Sequence, residues 1–228
     1  MGEKVTFPSN GSTAHGYLAV PESGSGPGLI VIQEWWGLVD HIVDLTNRFA
    51  AAGFVALAPD LYGGKTTHDA ETAYKYLQEL PVDRAARDLS GAVDYLLGRA
   101  EVTSATLGAV GFCMGGAFVL LLAQNEGDKI SAAVPCYPVE AFKLADLSGV
   151  SAKVSLHVGG KDDFVSTDAV EAIASKLRTE SGTEVEVHIY PQNGHAFLND
   201  ENLMGTYDQG SADLLWERMV EFLLSNVA

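Results

Sequence analysis

Apolar runs and polar breaks alternate along the chain at intervals that predict strand, helix, strand, helix. Two β-leaning runs between Lys4 and Val20 flank Asn10-Gly11, the signature of a hairpin. Pro21–Gly28 reads as a Gly/Ser/Pro linker, and Leu29–Gln33 as a parallel strand covered on both faces. Val39, Ile42, Val43 and Phe49 then recur at helical spacing, with Gly53 as the stop signal. A strand over Phe54–Ala58 runs into Pro59-Asp60-Leu61-Tyr62-Gly63-Gly64. Helical patterns over Asp69–Leu80 and Arg84–Arg99 are separated at Pro81. Thr106–Val110 predicts a strand and Ala117–Gln124 a buried helix. Ile130–Val134, Val154–Val158 and Val185–Tyr190 predict three further strands, with helices over Ala169–Thr179 and Tyr207–Val227. This repetition implies an α/β chain: a mainly parallel, doubly wound sheet with helices on both faces, expected as a single domain over 1–228.

Composition narrows what such a chain can do. Its 228 residues, 47% of them hydrophobic, suffice for a sizeable core. A formal charge of −16 disfavours nucleic acid and acidic membranes as partners, since both repel an anionic surface. No apolar run reaches the ~18 residues that suggest a membrane span. The start lacks the basic and apolar regions of a secretory signal. Two cysteines, Cys113 and Cys136, make neither a disulfide framework nor a zinc site. The expectation is a cytoplasmic protein, a monomer rather than an oligomer, acting on a small molecule without metal or organic cofactor.

In doubly wound sheets function gathers in loops at the carboxyl ends of strands. Four unusual loops follow predicted strands here: Glu34–Gly37, Gly111–Gly116, Gly159–Val165 and Pro191–Phe197. The second, Gly111-Phe112-Cys113-Met114-Gly115-Gly116 between strand and helix, is a nucleophile-elbow pattern with sulfur in place of the usual oxygen. A helix N-terminus there favours thiolate over thiol. On that hexapeptide alone, a reactive thiolate and an inert buried cysteine fit equally well.

The later loops shift the balance. A cysteine nucleophile needs a base, and the base needs an orienting acid. His195 stands in a glycine-framed loop after the last strand, whereas His15, His41, His68, His157 and His188 read as surface or half-buried histidines. Asp162, with Asp163 beside it, follows the preceding strand; an aspartate-stabilised turn is the plainer reading of that loop. The order nucleophile, acid, histidine (113, 162, 195) is that of α/β-hydrolases. The triad is therefore read as Cys113, Asp162 and His195. Cys136 reads as a small apolar core residue.

Gln33-Glu34-Trp35-Trp36-Gly37, Pro59-Asp60-Leu61-Tyr62, the Gly111–Gly116 elbow, Gly159-Gly160-Lys161-Asp162-Asp163-Phe164-Val165 and Gly194-His195-Ala196-Phe197 together resemble the dienelactone hydrolase family, over nearly the whole chain. The resemblance implies an α/β-hydrolase fold, a Cys-His-Asp triad and hydrolysis of esters, typically of a lactone ring. It matches Asp162 rather than Asp163 to the family's acid. It matches Glu34 to a glutamate that holds the resting thiol and yields when substrate binds. It also implies an oxyanion hole from the backbone N–H groups of Trp35 and Met114. Trp35, Trp36, Tyr62, Phe112 and Phe197 are expected to line the pocket, although core packing explains each as well, and Tyr137 is a lesser candidate.

The chain departs from that family in one respect. Family members proper grip a substrate carboxylate with two arginines. Asn199 stands at one of these places, and Gly63–Tyr74 holds no arginine at the other, only Lys65. A neutral ester or lactone is the expected substrate. Alternative readings are a broad carboxylesterase or thioesterase, and a non-catalytic thiol sensor or ligand-binding protein on the same fold.

Overall fold

The computed structural model describes residues 2–9, 11–139 and 146–227. Asn10 of the expected hairpin turn lies outside them. Eight strands form one sheet in the order β1-β2-β4-β3-β5-β6-β7-β8. β1 (Glu3–Ser9) and β2 (Ser12–Ala19) are the antiparallel hairpin, paired from Glu3↔Leu18 to Ser9↔Ser12. β2 runs antiparallel to β4 (Val55–Pro59), and every later pairing is parallel. The α/β class and the mainly parallel sheet expected from the alternation are what the structure contains.

β3 (Gly26–Ile32) lies between β4 and β5 (Val102–Phe112), so the chain leaves β3 on one side and returns on the other. That reversal opens a crevice at the strands' carboxyl ends, where loops diverge instead of packing over the sheet. The expected linker Pro21–Gly28 is partly wrong. Gly26 and Gly28 already belong to β3, because Gly26 N donates to Glu101 O at 3.0 Å and the two glycines pair with Val102 and Leu107 of β5, with a register shift between them. β5 likewise begins earlier than its apolar run, at Val102, with half-buried and exposed residues alternating up to Thr106.

Helices cover both faces. α1 (Asp40–Ala51) and α6 (Gln209–Asn226) share one face, joined where Phe49 meets Trp216 at a centroid distance of 4.6 Å. α2 (Ala70–Glu79) and α3 (Val82–Leu97) break at Pro81, as expected. α3 packs with α4 (Met114–Glu126) on the opposite face. α4 starts immediately after Cys113, so Gly115 and Gly116 sit inside the helix rather than in the loop before it. β6 (Ile130–Cys136), β7 (Lys153–Gly159), α5 (Thr167–Glu180) and β8 (Val185–Tyr190) complete the alternation. Among the described residues no helix is long and apolar enough to cross a membrane.

His157 is a satisfied core histidine: its ring nitrogens lie 3.1 Å from Ser155 Oγ and from Tyr190 Oη, and burial pushes its pKa well down. Cys136 is fully buried with its sulfur 3.5 Å from Met219 Sδ. His41 overturns its surface reading: it is 4% exposed.

Candidate active site

Cys113 joins β5 to α4 at φ 57°, ψ −119°, a backbone conformation that costs an L-residue about 1–3 kcal/mol. The surroundings force this bend. A Cβ at Gly111 would lie 2.3 Å from Gly115 O, and one at Gly115 would lie 2.5 Å from both Ile32 O and Gln33 O. The end of β3 therefore rests directly on the first turn of α4. The Cys113 N–H is tied to Cys136 O at 3.1 Å, and its carbonyl accepts from Gly116 N and Val139 N at 3.0 and 3.2 Å. The side chain is 7% exposed at the mouth of the crevice.

β8 leads into the loop that carries His195, which is 3% exposed and followed by Ala196 at φ 56°. Its Nδ1 lies 2.8 Å from Asp162 Oδ2. The other aspartate oxygen, Oδ1, accepts from Phe164 N at 2.8 Å and Val165 N at 2.9 Å, locking the acid into its own turn. Asp163 is exposed. The His195 ring sits between Tyr137 (centroids 5.1 Å) and Phe164 (4.9 Å), which fixes its plane. Its buried Nε2 has no hydrogen-bond partner among the described residues. Burial, the largest single influence, lowers the pKa of His195. Cys113, followed by the bond to Asp162, more than offsets it and leaves the pKa pushed up to about 10. Cysteine, histidine and aspartate from three distant loops are thus brought together.

Glu34 follows β3 and is 1% exposed. Its Oε2 accepts from Asn199 Nδ2 at 2.7 Å, while Oε1 has no partner among the described residues. Burial raises its pKa, against the influences of His41, Asn199 and His195. Asn199, expected to face substrate, is therefore occupied by Glu34, and its Oδ1 also takes Glu201 N at 3.0 Å.

The expected pocket residues divide. Trp35 is half-buried, packs edge-on against Trp36 (5.0 Å), and reaches Phe164 (6.4 Å). Tyr62 donates to Met114 Sδ at 3.4 Å and senses the Cys113 charge; burial raises its phenol pKa. Phe112 and Phe197 are wholly buried and pack on Tyr137 at 6.3 and 5.9 Å, behind the rim. Lys65 is exposed, with its ammonium 5.4 Å from the Tyr76 ring centre. Pattern reading placed His41 at the surface and Tyr137 behind the other pocket candidates; the Tyr137 hydroxyl is buried without a partner among the described residues, and β6 ending one strand over from the elbow was the available signal for its place. Among the described residues no group of three or more His, Cys, Asp or Glu side chains is placed to hold a metal ion.

Known proteins carry the same architecture. Protein usf of Aquifex pyrophilus is 35% identical over 228 residues, covering 97% of each chain. An Aquifex aeolicus protein named "Putative carboxymethylenebutenolidase" is 30% identical, again with 97% of each chain covered. The crystal structure described as "Putative Dienelactone Hydrolase" from Klebsiella pneumoniae superposes with a TM-score of 0.87 at 29% identity, covering 98% of each chain. The model of the dienelactone hydrolase family matches residues 14–226. The chain belongs to the dienelactone hydrolase family, hydrolases that act on ester and lactone bonds.

Proposed function

We propose that Cys113 is the nucleophile of this hydrolase, His195 its base and acid, and Asp162 the carboxylate that sets the histidine's tautomer. The observation that carries this reading is the 2.8 Å bond from His195 Nδ1 to Asp162, which leaves Nε2 as the nitrogen for sulfur. Attack forms a C–S bond and places negative charge on the carbonyl oxygen. The N–H of Met114 in the first turn of α4 and that of Trp35, on the loop pressed against Gly115, are the donors for that charge. Such donors contribute roughly 3–4 kcal/mol in comparable hydrolases. Collapse breaks the C–O bond as His195 hands its proton to the leaving oxygen. Water, deprotonated by His195, then cleaves the thioester and returns the thiol. Glu34 has two arrangements in this reading: the one bound to Asn199, and one turned to the resting thiol.

Substrate preference follows from what surrounds the cysteine. A recess of about 330 Å³ lies nearby: Cys113 and His195 do not line it, but Val139, whose N–H bonds Cys113 O, and Phe164, which packs on His195, do, together with Lys176. Its described lining is mainly apolar and includes Ala117, Val165 and Ile173. Asn199 is engaged by Glu34 and carries no charge, so the bidentate grip of a guanidinium on a carboxylate is missing there. A net charge of −16 adds long-range repulsion. The proposed substrate is a neutral ester or lactone in a soluble, cytoplasmic setting.

The test compares kcat/KM for cis-dienelactone with that for neutral lactones and short-chain esters at two salt concentrations. Neutral substrates should lead at both. A clear preference for dienelactone contradicts the substrate reading. Loss of all turnover after iodoacetamide supports the thiol, and absence of turnover on the whole panel returns the chain to a thiol sensor or binding protein.

A further inference from the structure

Helix α5 carries two apolar stripes, and only one of them is fully buried. Val170, Ala174 and Leu177 are buried on the side that packs against β7 and β8. Ala169, Ala172, Ile173 and Lys176 recur at the i, i+3, i+4 and i+7 spacing of a second stripe. That stripe is one wall of the recess of about 330 Å³. Ala169 and Ala172 are exposed and Ile173 is half-buried, so the two small side chains keep this wall set back.

The facing walls come from the segments that hold the triad. Ala117 stands about one turn along α4 from Cys113. Val139 N donates to Cys113 O at 3.2 Å, and Val165 N donates to Asp162 Oδ1 at 2.9 Å. The Phe164 ring lies 4.9 Å from that of His195 and is 54% exposed. An apolar chain lying in the recess would remove part of that ring from water, which favours its entry. Lys176 is the only charged side chain in the described lining. Its ammonium is 3.9 Å from Glu180 Oε1, so its charge is answered and its stem extends the apolar wall.

A hydrocarbon chain fits that lining. Of the two halves of an ester, the alcohol leaves and water takes its place, while the acyl half stays on the nucleophile. A recess lined by apolar side chains suits the half that stays. Because Cys113 and His195 do not line it, an acetyl group is too short to gain from it.

We propose that this recess takes the acyl chain of an ester substrate of medium chain length, and that Ala169 and Ala172 set this specificity by leaving room for it. The inference rests on the proposed attack by Cys113, but occupancy of the recess is measurable without turnover.

The experiment measures kcat/KM on p-nitrophenyl esters from acetate to decanoate, for wild type and Ala172→Trp. Beyond butyrate, each methylene that enters the recess should raise kcat/KM by up to about fourfold. Ala172→Trp fills the recess from an exposed helix position that folding tolerates, and the octanoate-to-acetate ratio should fall roughly tenfold or more. Octanamide, a neutral mimic, reports binding alone: in titration calorimetry it should bind wild type, bind Ala172→Trp by a similar factor more weakly, and outbind acetamide. An unmoved ratio and unmoved octanamide binding in the folded variant overturn the proposal. So does a gain that follows the alcohol chain of alkyl acetates and not the acyl chain. If octanamide binding depends on position 172 but Cys113→Ala still turns over, the recess stands and only the nucleophile assignment fails.

Discussion

Asp162 holds His195 and its own turn at the same time: Oδ2 lies 2.8 Å from the imidazole Nδ1, while Oδ1 takes the amides of Phe164 and Val165. A carboxylate fixed by two backbone donors cannot rotate away from the ring, so the ring's tautomer is fixed too.

Asp162→Asn is therefore expected to lower kcat steeply, toward the roughly 10⁴-fold seen when a triad histidine loses its orienting anion. Asp163→Asn, at an exposed side chain, should change it less than about threefold, in line with the small effect of most surface substitutions. Steady-state kinetics on both variants decide the matter, and damage from Asp163→Asn alone would shift the acid by one residue.

The proton on His195 reports on Cys113. Its pKa of about 10 owes more to the influence of Cys113 than to the bond with Asp162, so in Cys113→Ala the NMR midpoint of His195 should fall. Stability follows the same proton. A histidine whose pKa is raised from 6.5 to about 10 on folding stabilises the native state fully below pH 6.5, and that contribution is lost as pH climbs through about 10. Urea unfolding of wild type and Cys113→Ala between pH 6 and 10 should show a steeper decline for wild type. An identical His195 midpoint in the two proteins would separate the imidazole from the thiol.

Gly115→Ala should injure catalysis through the backbone. The added Cβ meets two carbonyl oxygens at 2.5 Å, and neither can move without shifting the end of β3 and the N–H of Trp35. Overpacking of this kind costs about 1–3 kcal/mol of stability. The kinetic signature is a fall in kcat larger than the rise in KM, because the displaced amide is the proposed donor to the transition-state oxyanion. A variant with unchanged kcat would remove Trp35 N from the oxyanion hole.

Much of the candidate site's layout was legible from residue order because the proposed chemistry needs particular residues at strand ends. Cys113 in a glycine-rich elbow, an aspartate two residues past Gly160 and a histidine after Gly194 are local patterns, and the sheet alternation places them on one rim. What stayed hidden depends on contacts between distant segments. His41 occupies a polar position in an amphipathic helix, and only the loop bearing Asp200, some way along the chain, buries it. Asn199 offers an amide that either a substrate or Glu34 could use, and sequence spacing does not choose between them. Gly26 and Gly28 have weak strand propensity and read as linker, yet pairing with β5 recruits them.

The central claim is that Cys113 performs the attack, and the kcat/KM of Cys113→Ala on p-nitrophenyl acetate tests it most directly. The residue lies on a turn between strand and helix, so the variant should fold, as circular dichroism and urea unfolding can verify. Activity should fall by roughly 10⁴-fold or more, as expected when a triad loses its nucleophile. Turnover by the folded alanine variant near the wild-type rate would contradict the account.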